Sequence, residues 1–166
     1  MSAAALILAL VTLQRLAELG WSHANAARML AAGGIEAGQG HYWPLIGVHV
    51  AWLAGLWLLA PGLPVDPAWL AVYLALQAGR AWVLWTLGRR WTTRVIVLPG
   101  ARLVRTGPYR WLDHPNYAVL AAEVAVLPAV FGLWLYAVAF TMLNAGVILL
   151  RLRVETAALR RLAQRD

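Results

Sequence analysis

A long apolar stretch runs from Pro115 to Leu150, and Glu123 is its only formally charged residue. As one helix, the stretch would extend roughly 50 Å, whereas the hydrocarbon core of a bilayer is about 30 Å thick. It is therefore predicted to fold back, with Pro128 and Gly132 marking the turn. The result is a hairpin whose two ends return to the same side of the membrane. Its predicted helices lie near residues 116–129 and 133–150.

The overall composition points to the same environment. Hydrophobic residues make up 62% of the 166 residues and charged residues 13%, against about 45–50% and about 25% in soluble domains. These values exclude a soluble enzyme, a disordered tail and a coiled coil. The sequence predicts an all-α integral membrane protein of about five transmembrane helices, with residues 1–166 in a single domain. The three predicted spans before the hairpin are Ser2–Gly20, Trp43–Ala60 and Pro67–Leu87.

The distribution of basic residues predicts the orientation. All 14 basic residues are Arg, a bias typical of GC-rich bacterial genomes, so a bacterial inner membrane is expected. Six of them lie in the segment 88–114, others lie in the C-terminal tail, and the turn at 61–66 has none. The positive-inside rule then places the long loop, the loop 21–42 and the C-terminus in the cytoplasm, and the N-terminus outside. A pI near 11 is attributed to loops on an anionic membrane surface and not to nucleic-acid binding.

A first polar cluster runs from Leu103 to Tyr117, where the fourth predicted helix begins. Pro115 is expected at the first helical position, with His114 near the N-cap. His114 and Tyr117 are three residues apart and share one face of the first turn. Free N–H groups at a helix N-terminus suit a carboxylate or a ribose oxygen. A His-Pro-x-Tyr sequence is also typical of an ordinary capped helix start.

A second polar cluster lies where the last span leaves the membrane. Arg151 and Glu155 are four residues apart on one helix face, which is also the spacing of an ordinary ion pair worth a few tenths of a kcal/mol. Because the hairpin returns the chain to its starting side, the two clusters are predicted to meet at one interface. Polar groups beside lipid are costly and are usually functional. The absence of cysteine excludes thiolate chemistry, and no metal site is predicted.

The order of these motifs resembles the isoprenylcysteine carboxyl methyltransferase family of integral membrane S-adenosylmethionine enzymes. The resemblance covers about the last 70 residues, with the catalytic region near 94–160. It lies in the run Leu103–Tyr117 followed by the pair Arg151-x-x-x-Glu155. The family pattern is roughly Leu-Val-x-x-Gly-x-Tyr-x-x-x-Arg-His-Pro-x-Tyr, a hydrophobic hairpin and Arg-x-x-x-Glu. One departure is Asp113, which stands where the family has Arg before His-Pro.

The resemblance implies roles by position. Leu103 and Val104 would line a cytoplasmic cofactor pocket formed by the 88–117 loop and the C-terminal helix. Glu155 would contact S-adenosyl-L-methionine from the tail, and Arg151 would face the acceptor. Arg94 and Arg102 are further candidates. The residues expected to wrap the cofactor are Tyr109, His114, Pro115, Asn116 and Tyr117, and the catalytic set is Arg151, Glu155 and His114.

The expected reaction is methyl transfer to an oxygen of a lipophilic acceptor that enters from the bilayer, such as a long-chain polyketide or an isoprenoid lipid. A carboxylate acceptor needs no base and only a cation such as Arg151 to orient it. A phenol or enol would need deprotonation, which His114 or Glu155 could assist. Two other classes remain open: a membrane reductase that uses a nicotinamide cofactor, and a non-enzymatic scaffold or transporter subunit. The oligomeric state is not predicted.

Several further polar residues lie inside predicted spans. Glu123 could pair with Arg80, line the acceptor cavity or pack as a neutral acid. Gln77 and Arg80 share a face and are expected to bond to neighbouring helices or to snorkel. Asn144 is predicted to donate an interhelical hydrogen bond, with a role in the site as the alternative. His49 is interpreted as a packed residue.

Overall fold

A computed structural model describes residues 2–37 and 42–163, and the side chains of 43–157 within the second range. The chain is mostly helical. Five α-helices and two short strands carry the architecture, and two 3-10 turns, Gly88–Arg90 and Gly107–Arg110, lie in the long loop. In chain order the elements are α1 Ala3–Ala31, β1 Ile35–Ala37, α2 Tyr42–Leu59, α3 Pro67–Leu87, β2 Val95–Val97, α4 Pro115–Val130 and α5 Trp134–Ala163.

The lengths and apolar character of the helices identify an integral membrane protein. Among the described residues, three helical segments are long and apolar enough to cross a bilayer: Ala3–Ala31, Pro67–Arg90 and Trp134–Ala157. Two apolar helices are shorter, Trp43–Leu59 and Pro115–Val130. Large apolar side chains on the outer surface are widely exposed, as at Leu58 and Leu135, each 84% accessible. Such surfaces suit contact with lipid.

The predicted hairpin is present. α4 ends at Val130 and α5 begins at Trp134, and Gly132 adopts a φ of 71° in the connection. Backbone N–H groups of Phe131 and Leu133 donate to the carbonyl of Pro128 at 3.1 and 3.0 Å, which closes the turn. Pro128 therefore lies in the last turn of α4 and not in the connection itself. α5 continues past the predicted end at residue 150.

The first helix is longer than the sequence prediction. The predicted loop 21–42 is wrong over its first part, because α1 continues to Ala31 and the chain then enters β1; residues 38–41 lie outside the described residues. The cause is a buried stripe with alternating spacings of four and three residues, which keeps one face of the helix inward. The stripe is apolar at first and polar later. The buried residues of α1 are Ala4, Leu8, Val11, Glu18, Ser22, Asn25 and Met29, with Ala26 beside them.

The all-α prediction also missed a small β ribbon. β1 pairs antiparallel with β2, with Ile35 opposite Val97 and Ala37 opposite Val95. An ion pair with an N–O distance of 2.6 Å joins Arg94 to Glu36 beside the ribbon. Two three-residue strands carry too little hydrophobic alternation to be recognised from sequence. The ribbon ties the end of α1 to the long loop.

A charged network occupies the interior of the helix bundle. Arg80 donates to Glu18 at 2.7 and 2.6 Å and to Glu123 at 3.1 Å. Arg15 donates to Glu123 at 2.7 Å, and Gln77 donates to Glu123 at 2.9 Å. Of the alternatives for Glu123, pairing with Arg80 is the one observed. The predicted bonds of Gln77 and Arg80 to neighbouring helices are confirmed. The network links α1, α3 and α4.

The prediction for Asn144 is wrong. Its side chain is fully buried on α5, yet neither amide atom has a hydrogen-bond partner in the described part of the chain. The expectation assumed that a buried amide in a membrane helix faces a polar neighbour. His49, by contrast, packs as interpreted: its Nδ1 lies 2.9 Å from the Leu45 carbonyl, and its ring meets Trp52 edge-on at 6.4 Å.

Candidate functional site

A cavity of about 490 Å³ lies at the end of the bundle where α4 begins. One wall is the long loop, from Leu87 through β2 to Val104. The opposite wall is formed by the first turn of α4 together with Arg151, Glu155 and Thr156 of α5. The hairpin makes this possible, because it returns α5 to the level at which α4 started. The two polar clusters of the sequence therefore meet, as predicted.

The hydroxyl of Tyr117 joins the two clusters. Arg151 Nε donates to the Tyr117 oxygen at 2.8 Å, and the Tyr117 hydroxyl donates to Glu155 Oε2 at 2.7 Å. The alternative of an ordinary ion pair between Arg151 and Glu155 is thereby replaced by a relay through a residue of another helix. A phenol that accepts from a cation and donates to an anion fixes both side chains at once.

His114 stands beside this relay. It is the N-cap of α4 but makes no capping bond with its side chain, and Pro115 follows at the first helical position, as predicted. Its Nδ1 lies 3.8 Å from Glu155 Oε1, and its ring centroid lies 5.7 Å from that of Tyr117. The side chain is about one-third exposed. The imidazole thus lies near the Glu155 carboxylate, and its nitrogens are not engaged in capping the helix.

Arg151 is buried although it carries a charge. Besides its bond to Tyr117, its Nη2 donates to the backbone carbonyl of Thr93 in the long loop. Its guanidinium carbon lies 5.8 Å from the centroid of the Tyr117 ring. Bonds along two directions fix the plane of the guanidinium. The site therefore presents a preoriented cation to the cavity.

Tyr109 lines the loop side of the cavity. Burial, reinforced by the negative charge of Glu155, raises the pKa of Tyr109 above its ordinary value. Its phenol therefore remains protonated at neutral pH and presents a neutral aromatic surface to the cavity. The turn that carries it begins at Gly107, whose φ is 56°. An added Cβ there would lie 2.5 Å from Thr86 Oγ1, so only glycine fits.

The cavity lining contains nearly all of the residues predicted for the site. All of them line the cavity except Pro115, which is buried at the start of α4 and sets the helix direction. Arg94, Arg102 and Asp113 line it as well. Outside the predicted 88–117 loop and C-terminal helix, the lining includes Met29 and Leu87, which sequence reasoning missed. Within that loop, Trp91, Thr92 and β2 also line the cavity but were not named as candidates. Only Met29 carried a usable signal, as the last member of the buried stripe of α1.

The lining combines groups of different chemistry. Carboxylates come from Asp113 and Glu155, cations from several arginines, and apolar surface from Leu103, Val104 and β2. A volume of this size lies within the range of about 300–1,000 Å³ typical of small-molecule sites. Such a lining can bind a ligand that carries an ammonium, a carboxylate and an apolar or aromatic part.

Similarity to known proteins includes the part of the chain that forms the cavity. The family model described as "Isoprenylcysteine carboxyl methyltransferase (ICMT) family" matches residues 69–161. The match includes α4, the hairpin and all candidate site residues. The chain is also 35% identical over 159 residues to the uncharacterized protein YpbQ of Bacillus subtilis (strain 168), covering 93% of this chain and 95% of that protein. No solved structure matches the chain.

Proposed function

Because the chain belongs to the isoprenylcysteine carboxyl methyltransferase family of membrane methyltransferases, we propose that it transfers a methyl group from S-adenosyl-L-methionine to an oxygen of a lipophilic acceptor. The observation that carries the proposal is the relay Arg151–Tyr117–Glu155 in the wall of the cavity. The relay holds Arg151, which we assign to the acceptor, and Glu155, which we assign to the cofactor, to the same phenol hydroxyl.

The lining of the cavity fits the cofactor. Glu155 supplies a carboxylate for its ammonium group, and the start of α4 at His114 and Asn116 supplies polar groups for its carboxylate or ribose. Leu103, Val104 and Tyr109 offer apolar and aromatic surface for adenine. When bound, the cofactor supplies an electrophilic methyl group on a sulfonium. The protein contributes positioning and the exclusion of water, which matter most for an in-line displacement.

Arg151 is assigned to the acceptor. Its guanidinium is held by Tyr117 and Thr93, so it can orient an acceptor oxygen without losing its own alignment. For a carboxylate this orientation suffices. For a phenol or enol, His114 is placed to take the proton, because it is partly exposed and only 3.8 Å from Glu155. The acceptor's apolar tail lies among the helices and in lipid.

We further propose a topology of five spans, with the N-terminus outside and the cavity facing the cytoplasm of a bacterial inner membrane. The shorter apolar helices Trp43–Leu59 and Pro115–Val130 measure about 24–26 Å at 1.5 Å per residue, close to the thickness of a hydrocarbon core. Arginines at positions 90, 94, 102 and 105 of the 88–114 segment line the cavity together with Arg151 of α5, which supports a cytoplasmic cavity.

Methyl transfer from labelled S-adenosyl-L-methionine tests the proposal. The purified protein in detergent is incubated with N-acetyl-S-farnesylcysteine, with a long-chain alkyl phenol and with a bacterial lipid extract, and the organic phase is counted. We expect label in at least one of these acceptors. We expect Arg151→Ala to reduce transfer about a hundredfold and Arg153→Ala, the matched control on the exposed side of α5, to change it by less than about twofold.

The outcomes separate the candidate functions. Absence of transfer from folded protein to every acceptor would contradict the proposal. Consumption of NADPH in place of label transfer would support the reductase. Equal transfer by Arg151→Ala and the wild type would remove the role assigned to Arg151 and leave the reaction standing.

A further inference from the structure

The carbonyl that receives Arg151 belongs to an irregular part of the chain. Thr93 lies between the 3-10 turn Gly88–Arg90 and β2, outside regular secondary structure. A side chain that depends on such a carbonyl is only as well oriented as the loop that carries it. The contacts that fix Thr93 therefore determine how Arg151 is presented to the cavity.

Ser22 of α1 fixes Thr93 through two contacts. The Thr93 backbone N–H donates to Ser22 Oγ at 2.8 Å, and the two side-chain hydroxyls lie 2.8 Å apart. Ser22 is 2% exposed, so water does not compete for these bonds. One buried hydroxyl thus holds both the backbone and the side chain of the residue that accepts from Arg151.

Asn25, one helical turn further along α1, holds the preceding part of the same loop. Its Nδ2 donates to the carbonyls of Gly88 and Trp91 at 3.1 and 2.7 Å, and its side chain is fully buried. The Trp91 ring also lies 5.7 Å from the ring of Trp21 on α1. Ser22 and Asn25 of the α1 stripe therefore support the loop and are not solvated side chains.

From these contacts we infer that Ser22 is a positioning residue for Arg151 and acts through Thr93. Three residues in contact form the path: Ser22 on α1, Thr93 in the loop and Arg151 on α5. The inference rests on the proposed function in one respect, namely that Arg151 orients the methyl acceptor. Ser22 lies outside residues 69–161, the part of the chain that the family model matches.

The most direct test observes the Arg151 guanidinium without any acceptor. In ¹⁵N-arginine-labelled protein in micelles, the Arg151 side-chain signal is assigned by its loss in Arg151→Lys. We expect slow rotation about Nε–Cζ and slow N–H exchange in the wild type, and fast averaging in Ser22→Ala. Thr12→Val is the matched control, because Thr12 is also a bonded hydroxyl on α1 but contacts Leu8 and Trp57 at the other end. An unchanged Arg151 signal in Ser22→Ala would overturn the inference.

Two further variants keep the test decisive. Thr93→Val removes only the contact between hydroxyls and keeps the Thr93 N–H bond to Ser22, so we expect a smaller effect than that of Ser22→Ala. If Ser22→Ala does not fold, Ser22→Cys keeps a side chain of the same shape, slightly larger and with a weaker acceptor, and should loosen Arg151 in the same direction. Rigid Arg151 signals in folded Ser22→Cys would count against the inference.

Kinetic constants distinguish a positioning role of Ser22 from a general effect on protein stability. We expect Ser22→Ala to lower kcat/KM for the acceptor about tenfold while the Kd for S-adenosylhomocysteine stays within about twofold of the wild type. Ser22→Thr should restore the kcat/KM, and Ser22→Ala should add little to Arg151→Lys in the double variant. Parallel loss of cofactor binding would contradict a positioning role. The NMR result stands independently if the protein proves to have another activity.

Discussion

At the scale of single residues, the phenol of Tyr117 has the most connections in the site. It accepts from Arg151 and donates to Glu155, and its ring lies beside His114. These four residues were all identifiable from the sequence, because His-Pro-x-Tyr and Arg-x-x-x-Glu each give a helical face. Their connection through Tyr117 was not, since spacing along one helix cannot show that a residue of another helix stands between Arg151 and Glu155.

Removing that hydroxyl should weaken cofactor binding without unfolding the protein. Tyr117→Phe leaves Glu155 without its anchor and Arg151 without one of its acceptors, and hydrogen bonds to charged groups are worth about 1.5–3 kcal/mol. We expect the Kd for S-adenosylhomocysteine to rise about tenfold or more in calorimetry.

Tyr136→Phe is the control for the loss of a phenol. The Tyr136 hydroxyl bonds to the carbonyl of Trp52 at 2.8 Å, on a different part of α5. This variant should lower the melting temperature slightly and leave the Kd unchanged. A Tyr117→Phe protein that binds as tightly as the wild type would show that the relay does not organise the site.

At the scale of helices and strands, the sequence patterns did not predict the polar half of α1 or the β1–β2 ribbon. Glu18, Ser22 and Asn25 resemble loop composition, yet their spacing of four and three continues the apolar stripe that begins at Ala4. Tertiary contacts make this polar face an inward one, because Glu18 bonds to Arg80 of α3 while Ser22 and Asn25 bond to the long loop. Asn144 is the opposite case. Its buried amide on α5 was expected to form an interhelical hydrogen bond, but it has no hydrogen-bond partner among the described residues.

The contact between α2 and α5 depends on the absence of a side chain at Gly55. An added Cβ there would clash with the Tyr136 hydroxyl, whereas at Gly47 of the same helix nothing lies within 4 Å. Gly55→Ala should therefore separate the helices and cost about 1–3 kcal/mol. Gly47→Ala should be neutral or slightly stabilising, since alanine favours a helix. Thermal unfolding in detergent measures both, and equal melting temperatures would contradict the described packing.

At the scale of the whole molecule, the length of the apolar stretch from Pro115 to Leu150 determines where the site lies. An apolar stretch too long for a single span had to return, and that return brings Arg151 and Glu155 to the start of α4. The charged network that ties α1 to the bundle was only partly foreseeable. Pairing of Glu123 with Arg80 was one of the alternatives, but Arg15 and Glu18 come from a distant helix whose direction and rotation the sequence does not specify.

The network balances two arginines against two glutamates in the apolar interior, with Glu123 completely buried. Glu123→Leu leaves excess positive charge there and should cost about 3–5 kcal/mol. The double variant Arg15→Leu with Glu123→Leu restores neutrality around the remaining pair of Arg80 and Glu18, so it should be more stable than Glu123→Leu alone. Unfolding in detergent with increasing denaturant checks the order, and a double variant less stable than the single one would contradict the charge-balance argument.

The cavity between the long loop and α5 is proposed to bind the methyl donor. Calorimetric titration of the detergent-solubilised protein with S-adenosylhomocysteine tests it most directly, with Glu155→Ala as the site variant. Asp66→Asn is the control, because Asp66 caps α3 at residues 68 and 69, outside the cavity lining. We expect one binding site in the wild type and in Asp66→Asn, and no measurable binding to Glu155→Ala. Binding of equal strength to all three proteins, or none to the folded wild type, would contradict it.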